Sequence, residues 1–206
     1  MTRIPASERR QALVRAALRV VAAGGVSAAT TRAIVAEAGM SLASFHYAFA
    51  SHDELMTELI SHVVAEERVV LPADTVTEGD LRDLVRGGLQ RYFESMRADP
   101  GREAAMLELT YYALRTPGLE HLAAEQYRRY SELSAEALEA AARLSGWQWE
   151  RPIDEIARLA VVFSDGVTVS WLVHHDERVA EELLDHAADF LTSLASPAGR
   201  STDDHG

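Results

Sequence analysis

The chain has 206 residues, enough for one or two domains with a hydrophobic core, and its formal net charge is −12 at pH 7. It contains no cysteine, which excludes disulfide bonds and thiolate chemistry and suits a reducing cytoplasm. The N-terminal segment lacks the apolar core of a signal peptide, and no apolar run is predicted to span a membrane. These features predict a cytoplasmic protein with no membrane partner.

The negative charge is concentrated after the first quarter of the chain. Residues 1–50 hold six arginines against two acidic residues, a net charge of +4, so the rest of the chain carries −16. Such a basic N-terminal part is expected where only that part contacts nucleic-acid phosphates, although four charges alone are a weak indication. Arg3, Arg9 and Arg10 could also form a flexible arm that reaches DNA.

Apolar spacing and turn residues predict an all-α protein of about nine helices, with no strand-like alternation. The segment PADTVT at 72–77 is a predicted linker and candidate domain boundary, and the tail from Ser196 is predicted to be disordered. Outside residues 30–51, the predicted helices span about 7–23, 52–70, 78–98, 102–115, 118–145, 152–174 and 177–195.

Residues 30–55 predict two short helices joined by a tight turn and followed directly by a third. Thr30 or Thr31 can cap the first helix, and Gly39 suits the left-handed position that ends it. Ser41 can cap the second helix. This is the pattern of a helix-turn-helix, which sets one helix into the DNA major groove. A plain helical hairpin with a glycine turn fits the spacing equally well.

The second of these short helices is predicted to be anchored on one side and open on the other. Phe45 and Phe49 lie four residues apart and would pack into the core. Ser51 and Glu54 form the capping-box pattern that begins the third helix, so the second helix is only about two turns long. The side chains predicted to point outward are Leu42, Ala43, Ser44, His46 and Tyr47.

Several short motifs keep a fixed spacing along residues 8–60. They are Ala16-Ala17, Gly25-Val26, Thr30-Thr31-Arg32 with Ile34, Ala38-Gly39-Met40-Ser41, and the run from Phe45 to Leu55. Together they resemble the N-terminal domain of the TetR family of transcriptional regulators. The resemblance covers about a quarter of the chain, and the remainder is similar to the family in length and helical character only.

The resemblance implies an all-α fold with a three-helix N-terminal DNA-binding domain, containing the helix-turn-helix, and a larger helical ligand-binding and dimerisation domain. We divide the chain accordingly into residues 7–52, residues 53–195 and a disordered tail at 196–206. The resemblance further implies a homodimer on a double-stranded, palindromic DNA operator, with recognition helices about 34–36 Å apart. A small-molecule effector of unknown identity would release the operator by tilting the fourth helix.

Individual DNA contacts also follow from the resemblance. Arg32 aligns with a position that often reaches a base, where a bidentate contact to guanine is the natural use. Leu42 and Ala43 would face thymine methyl groups in the groove. Thr31, Ser41, Tyr47 and His52 would contact the DNA backbone. The complete implied set is Thr31, Arg32, Ser41, Leu42, Ala43, Ser44, His46, Tyr47 and His52.

Two members of this set depart from the family pattern. His46 stands where the family usually has Tyr, and His52 stands where it usually has Lys. Both usual residues typically contact phosphate. A histidine gains a positive charge only near or below neutral pH, so its phosphate contact is conditional. We therefore predict that operator affinity rises as the pH falls from 8 to 6.

Aromatic and methionine residues recur on the predicted helices five to eight. Any one of them at helical spacing is more often a core residue than a ligand contact, although pockets are mainly apolar and tyrosine adds a polar group. In the TetR family the helices after the DNA-binding domain usually enclose an inducer pocket. The implied pocket residues are Tyr92, Phe93, Met96, Met106, Tyr111, Tyr112, Tyr127, Phe163 and Trp171.

The last two predicted helices have wide apolar faces, which suggests a partner in addition to the protein's own core. Ordinary packing within one chain is the alternative. In the TetR family this helix pair typically forms a four-helix bundle with its twin. The implied dimer-interface residues are Val162, Val169, Leu172, Leu183, Leu184, Ala187, Phe190 and Leu191.

An enzymatic function is not indicated. The run from His174 to Glu177 suggests a metal site, but adjacent residues point to different sides of a helix, and histidine near a helix C-terminus is favourable by itself. The sequence shows no H-E-x-x-H, E-x-x-H or G-x-S-x-G motif and no phosphate loop. We therefore predict no catalytic residue, no metal and no cofactor.

The sequence as a whole predicts a homodimeric, ligand-released transcriptional repressor. Within the same class, the alternatives are an activator or a regulator that needs no ligand. From another class, the alternative is a helical small-molecule-binding protein or enzyme whose N-terminal motif is purely structural.

Overall fold

The computed structural model describes residues 5–66 and 79–199. Its described part contains nine α-helices, as the all-α prediction required. A single turn of 3₁₀ helix, Val26–Ala28, follows the first of them. The helices are α1 (Ala6–Gly24), α2 (Thr31–Glu37), α3 (Leu42–Ala48), α4 (His52–Glu66), α5 (Leu81–Ala98), α6 (Pro100–Arg115), α7 (Glu120–Ser145), α8 (Ile153–His174) and α9 (Glu177–Thr192).

A small sheet corrects the expectation of a chain without strands. Strand β1 (Trp147–Trp149) pairs antiparallel with β2 (Ala195–Pro197), and Gln148 lies opposite Ser196. Each strand has only three residues, too few to show alternation, and the partner is distant in sequence. The predicted disordered tail therefore begins within a strand. Residues 200–206, the predicted linker at 72–77 and the predicted end of the fourth helix after residue 66 lie outside the described residues.

The chain forms two compact units. The first comprises residues 1–67 and 99–127, and the second comprises residues 68–98 and 128–206. Their extents differ from the predicted domains, because the first unit includes α6 and the start of α7. The domain boundaries given above remain a prediction.

The first unit is built around α1, which packs against α2, α3, α4 and α6. A helix contacted on so many sides needs apolar residues around most of its surface, and Leu13, Ala16, Ala17 and Val21 are all buried. The two short helices α2 and α3 thus rest on a long helix that is fixed by its own core. Other large buried side chains of this core are Ile34, Phe45, Phe49, Leu55, Met56, Leu59, Ile60 and Leu109.

The second unit is built from α5, α8 and α9 with the end of α7. Charged side chains join α5 to α9 along one edge: Arg86 Nε donates to Asp185 at 2.8 Å, and Arg82 Nε donates to Asp189 at 2.5 Å. Hydrogen bonding to Arg86 lowers the pKa of Asp185. The core side chains include Leu81, Phe93, Met96, Ile156, Trp171, Leu184 and Leu191.

Helix α8 corrects the expectation that no apolar run is long enough to span a membrane. With 22 residues, it is long and apolar enough to cross a membrane by length and composition alone. The core helix of a globular protein meets the same criterion, and 39% of the most apolar window of α8 is buried inside the protein. Because α8 packs against both α5 and α9, these neighbours explain much of its apolar character.

Candidate nucleic-acid interface

Helices α2 and α3 are joined by a turn whose hydrogen bonds follow the predicted pattern. Thr30 Oγ1 accepts a hydrogen bond from the Ala33 N–H at 3.2 Å and so caps the start of α2. At the other end, Gly39 has φ = 64°, and its N–H donates to Ala36 O at 3.1 Å. The Met40 N–H donates to Val35 O at 2.8 Å, which completes a Schellman motif.

We expect Gly39→Ala to lower the free energy of unfolding by about 1–2 kcal/mol, because an L-residue with a Cβ is disfavoured at this positive φ. A Cβ at Gly39 would meet no atom within 4 Å, so backbone strain is isolated as the cause. Urea denaturation measures the change. The control is Gly87→Ala inside α5, where alanine favours the helix and should stabilise by about 0.5–1 kcal/mol. A neutral Gly39→Ala would contradict the strain argument.

Helix α3 is fixed on one side only. Ser41 Oγ caps it by accepting a hydrogen bond from the Ser44 N–H at 3.2 Å. Phe45 and Phe49 are buried, with ring centroids 5.7 Å apart. Ser51 Oγ accepts a hydrogen bond from the Glu54 N–H, as in a capping box. The Glu54 carboxylate, however, accepts from the Ala50 N–H and not from the Ser51 N–H that a capping box would use. Hydrogen bonds at both ends of α3 and the buried aromatic pair on its inner side therefore hold the helix in place.

The opposite side of α3 is open. Leu42 is 46% exposed and Tyr47 is 82% exposed, and Ala43 and His46 are exposed as well. These four positions lie within one side of a helix with 3.6 residues per turn. On α2, Arg32 is exposed and Thr31 is half-buried. On α3, Ser44 is half-buried, and the cap residue Ser41 is exposed. An exposed helix backed by a buried aromatic pair is what insertion into a groove requires.

His52 differs from the other residues predicted to contact DNA. Its Nε2 atom lies 2.6 Å from Ala29 O, and its Nδ1 atom lies 3.9 Å from the Asp53 carboxylate. The ring is half-buried and joins the start of α4 to Ala29, which precedes the N-cap residue of α2. A phosphate contact by His52 would compete with this internal hydrogen bond. The predicted pH dependence therefore rests on His46, which is exposed.

The proposed arginine arm is also corrected. Arg9 and Arg10 lie within α1, and Arg3 lies outside the described residues. The Arg10 guanidinium contacts Glu54 and Glu58 on α4, which hold it against the protein. Hydrogen bonding to Glu58 raises the pKa of Arg10 further above its usual range. Sequence reasoning missed these partners because they lie on a helix far along the chain.

Two family models match the chain. The model described as bacterial regulatory proteins, tetR family, matches residues 13–59, which contain α2 and α3. The model described as BetI-type transcriptional repressor, C-terminal, matches residues 81–196, more than half of the chain. The chain belongs to the TetR family. It is a DNA-binding transcriptional regulator and not an enzyme, as predicted.

Relatives of this TetR-family protein match along nearly the whole chain. The nicotine-responsive transcriptional repressor HdnoR of Paenarthrobacter nicotinovorans is 28% identical over 189 residues, covering 91% of this chain and 95% of that protein. The multidrug binding protein EbrR complexed with imidazole is 31% identical with a TM-score of 0.61, covering 87% of this chain and 89% of that one. EbrR complexed with ethidium is 29% identical with a TM-score of 0.64, covering 87% and 98%.

The residues predicted to line an effector pocket are distributed over both units. Phe93, Met96 and Trp171 are buried in the core of the second unit, and Met106 is buried in the core of the first. Tyr111 is 62% exposed. The hydroxyl groups of Tyr92 and Thr168 form a hydrogen bond of 2.8 Å. Tyr112 and Phe163 are half-buried, and Tyr127 is partly exposed. Their role in ligand binding remains a prediction for this TetR-family chain.

The residues predicted to form a dimer interface divide into two groups. Leu184, Ala187 and Leu191 are buried within the core of their own unit, so they are not available to a partner, and Leu172 is half-buried there. This corrects their assignment: apolar spacing cannot tell an inner face from an outer one. The remaining members, Val162, Val169, Leu183 and Phe190, are exposed.

The predicted dimer-interface set does not include one exposed apolar residue of α8, Val173. Val173 is 66% exposed and lies one turn beyond Val169, which is 45% exposed. The signal was present in the sequence, because Val162, Val169 and Val173 recur at helical spacing on one side of α8.

Proposed function

We propose that the protein is a homodimeric repressor that reads a palindromic operator with α2 and α3 and releases it when a small organic cation binds. The proposal that α3 reads DNA rests on the contrast between its buried side and its exposed side. Phe45 and Phe49 anchor its inner side, while Leu42 and Tyr47 are exposed. A short helix held in this way can enter a major groove without losing its position in the domain.

The proposed contacts are those that the family resemblance implies, and the exposure of Arg32, Leu42 and Ala43 supports them. Arg32 on α2 would make a bidentate contact to guanine, and Leu42 and Ala43 would contact thymine methyl groups. Ser41, Ser44, Thr31, His46 and Tyr47 would donate to phosphates and so set the register of the protein on DNA. His52 would support this surface from within through its hydrogen bond to Ala29 O.

The effector class is inferred from the relatives. HdnoR is nicotine-responsive, and EbrR has been solved with imidazole and with ethidium. Nicotine and imidazole are nitrogen bases that become cations on protonation, and ethidium is a permanent cation. Aromatic faces and carboxylates bind such groups.

The test is a titration of the purified protein against the DNA flanking its own gene and against duplexes selected from a random pool. Both titrations are run in low and moderate salt, with scrambled DNA as control. We expect salt-sensitive, sequence-specific binding by two protomers to a palindrome. Binding that is equal for all sequences from the random pool would contradict the proposed reading of a palindrome. The absence of salt-dependent binding to any duplex would favour a purely structural N-terminal motif.

Nicotine and imidazole are then added to the complex, and urea is used as an uncharged control. Release by the nitrogen compounds and not by urea would support the effector class. A reporter gene placed behind the selected operator separates a repressor from an activator, because only a repressor lowers expression. No response to either compound would favour a regulator of another ligand class or one without a ligand.

Removal of the Arg32 side chain should cost about 1–3 kcal/mol of operator binding in Arg32→Ala. The loss should relax the preference at one base pair of each half-site, because a bidentate arginine contact specifies guanine. Competition with operators mutated one position at a time measures this. An equal loss on every sequence would instead make Arg32 a phosphate contact.

We expect operator affinity to rise as the pH falls from 8 to 6, because a protonated His46 adds a positive charge to the exposed side of α3. Binding titrations at fixed salt measure the change. His46→Gln should remove the dependence, whereas His52→Gln should keep it, since His52 faces Ala29 O. Equal affinity of the wild type at both pH values, with the fold intact, would contradict this prediction.

A further inference from the structure

Arg10 lies at the centre of a polar cluster where three helices of the first unit meet. Its Nη1 atom donates to Ala48 O at 2.6 Å, and Ala48 is the last residue of α3. The same atom donates to Glu54 Oε1 at 2.9 Å, and Nε donates to Glu58 Oε2 at 2.7 Å. One side chain of α1 thus joins the end of α3 to the first two turns of α4.

Two further contacts restrict the guanidinium group. Its carbon lies 4.2 Å from the centre of the Phe49 ring, a cation–π contact with the residue that follows α3. Glu54, which accepts from Arg10, also accepts from the Ala50 N–H at 2.7 Å. The backbone on both sides of Phe49 is therefore held by charged hydrogen bonds, which are stronger than neutral ones.

The hydrogen-bond donors of Arg10 are engaged within the protein. Arg10 has about a third of its side chain exposed, and its donors already face Glu54, Glu58 and Ala48 O. A phosphate contact would require it to leave two carboxylates. An arginine of a TetR-family DNA-binding domain therefore need not bind DNA. Arg10 instead joins the end of α3 to α4.

We propose that Arg10 is a positioning residue for operator recognition, because it fixes the C-terminal end of α3 against α1 and α4. The direction of α3 determines whether Leu42 and Ala43 reach base edges, so a small change in its angle should reduce sequence-specific binding. Non-specific binding needs no fixed alignment of α3 with base edges, so it should fall much less than sequence-specific binding. This inference rests on the proposed use of α3 to read the operator.

Arg10→Lys is the test, because lysine keeps the charge but cannot donate to Ala48 O, Glu54 and Glu58 in the same planar arrangement. The matched control is Arg19→Lys, the same substitution in the same helix at an arginine that pairs with Glu37 on the surface. Binding to the selected operator and to scrambled DNA is measured over a range of salt, at a temperature where circular dichroism shows each variant to be folded.

For Arg10→Lys we expect operator affinity to fall about tenfold, with a much smaller loss of affinity for scrambled DNA and an unchanged salt slope. Arg19→Lys should bind like the wild type. Glu54→Gln provides a second variant: it weakens the same cluster without touching an arginine and should show the same selective loss. Wild-type binding in the same titration verifies the operator independently of Arg10.

Two results would overturn the inference. If the folded fraction of Arg10→Lys binds the operator as tightly as the wild type, Arg10 stabilises the domain only. If affinity for operator and scrambled DNA falls together and the salt slope decreases by about one, Arg10 contacts phosphate directly.

Discussion

Phe45→Ala is expected to lower the free energy of unfolding by about 3–5 kcal/mol, which is a large share of the usual stability of a protein of this size. Phe45 is 2% exposed and stacks beside Phe49, so truncation removes a large buried ring and leaves a cavity under α3. Because the helix is only seven residues long, it cannot persist without this anchor. Urea denaturation followed by circular dichroism measures the change.

The matched control for this prediction lies two residues further along the same helix. Tyr47 is 82% exposed, so Tyr47→Ala should change the free energy of unfolding by no more than about 0.5 kcal/mol. It should nevertheless weaken operator binding, because its hydroxyl is proposed to contact phosphate. A similar loss of stability in both variants would mean that α3 is packed on both sides, which contradicts the groove-reading surface.

The helix-turn-helix could be predicted closely because its signals are local. Thr30, Ser41 and Ser51 each cap a backbone N–H three residues away, and Gly39 adopts the left-handed conformation that its position required. The burial of Phe45 also follows from spacing within one helix. Interactions between residues three or four apart can be predicted from the sequence, because such residues are neighbours on one helix.

The features that escaped prediction depend on residues far apart in the chain. Trp147 pairs with Pro197 across fifty positions, and three-residue strands carry no pattern of their own. Arg10 was assigned to a DNA-binding arm because its partners Glu54 and Glu58 lie on another helix. Leu184 was placed in a dimer interface because its apolar character fits the inner and the outer face of α9 equally well.

The exposed side of α8 carries the second large prediction. Val162, Val169 and Val173 are 65%, 45% and 66% exposed, and Gly166 lies exposed between them. A solvated helix face normally carries charged or polar residues, so a run of exposed valines is expected where a partner covers the surface. Leu183 and Phe190 on α9 are exposed as well, so both helices of the terminal pair offer apolar surface.

We expect Val169→Glu to convert the proposed dimer into a monomer and to lower operator affinity on the order of a hundredfold or more. A carboxylate enclosed in an apolar interface without a partner costs about 2–5 kcal/mol, and a two-fold axis would introduce two of them. A monomer carries one recognition helix and can read only half of a palindrome. Sedimentation velocity and operator titration measure the two effects separately.

Leu144→Glu on α7 is the control, because Leu144 is 43% exposed and receives the same charge outside the α8–α9 surface. It should leave both the dimer and operator binding unchanged. If Val169→Glu remained a dimer with full affinity, the partner of α8 would not be a second copy of the chain. If Val169→Glu were monomeric yet bound the whole operator tightly, dimerisation would not be the means by which two recognition helices are brought to one palindrome.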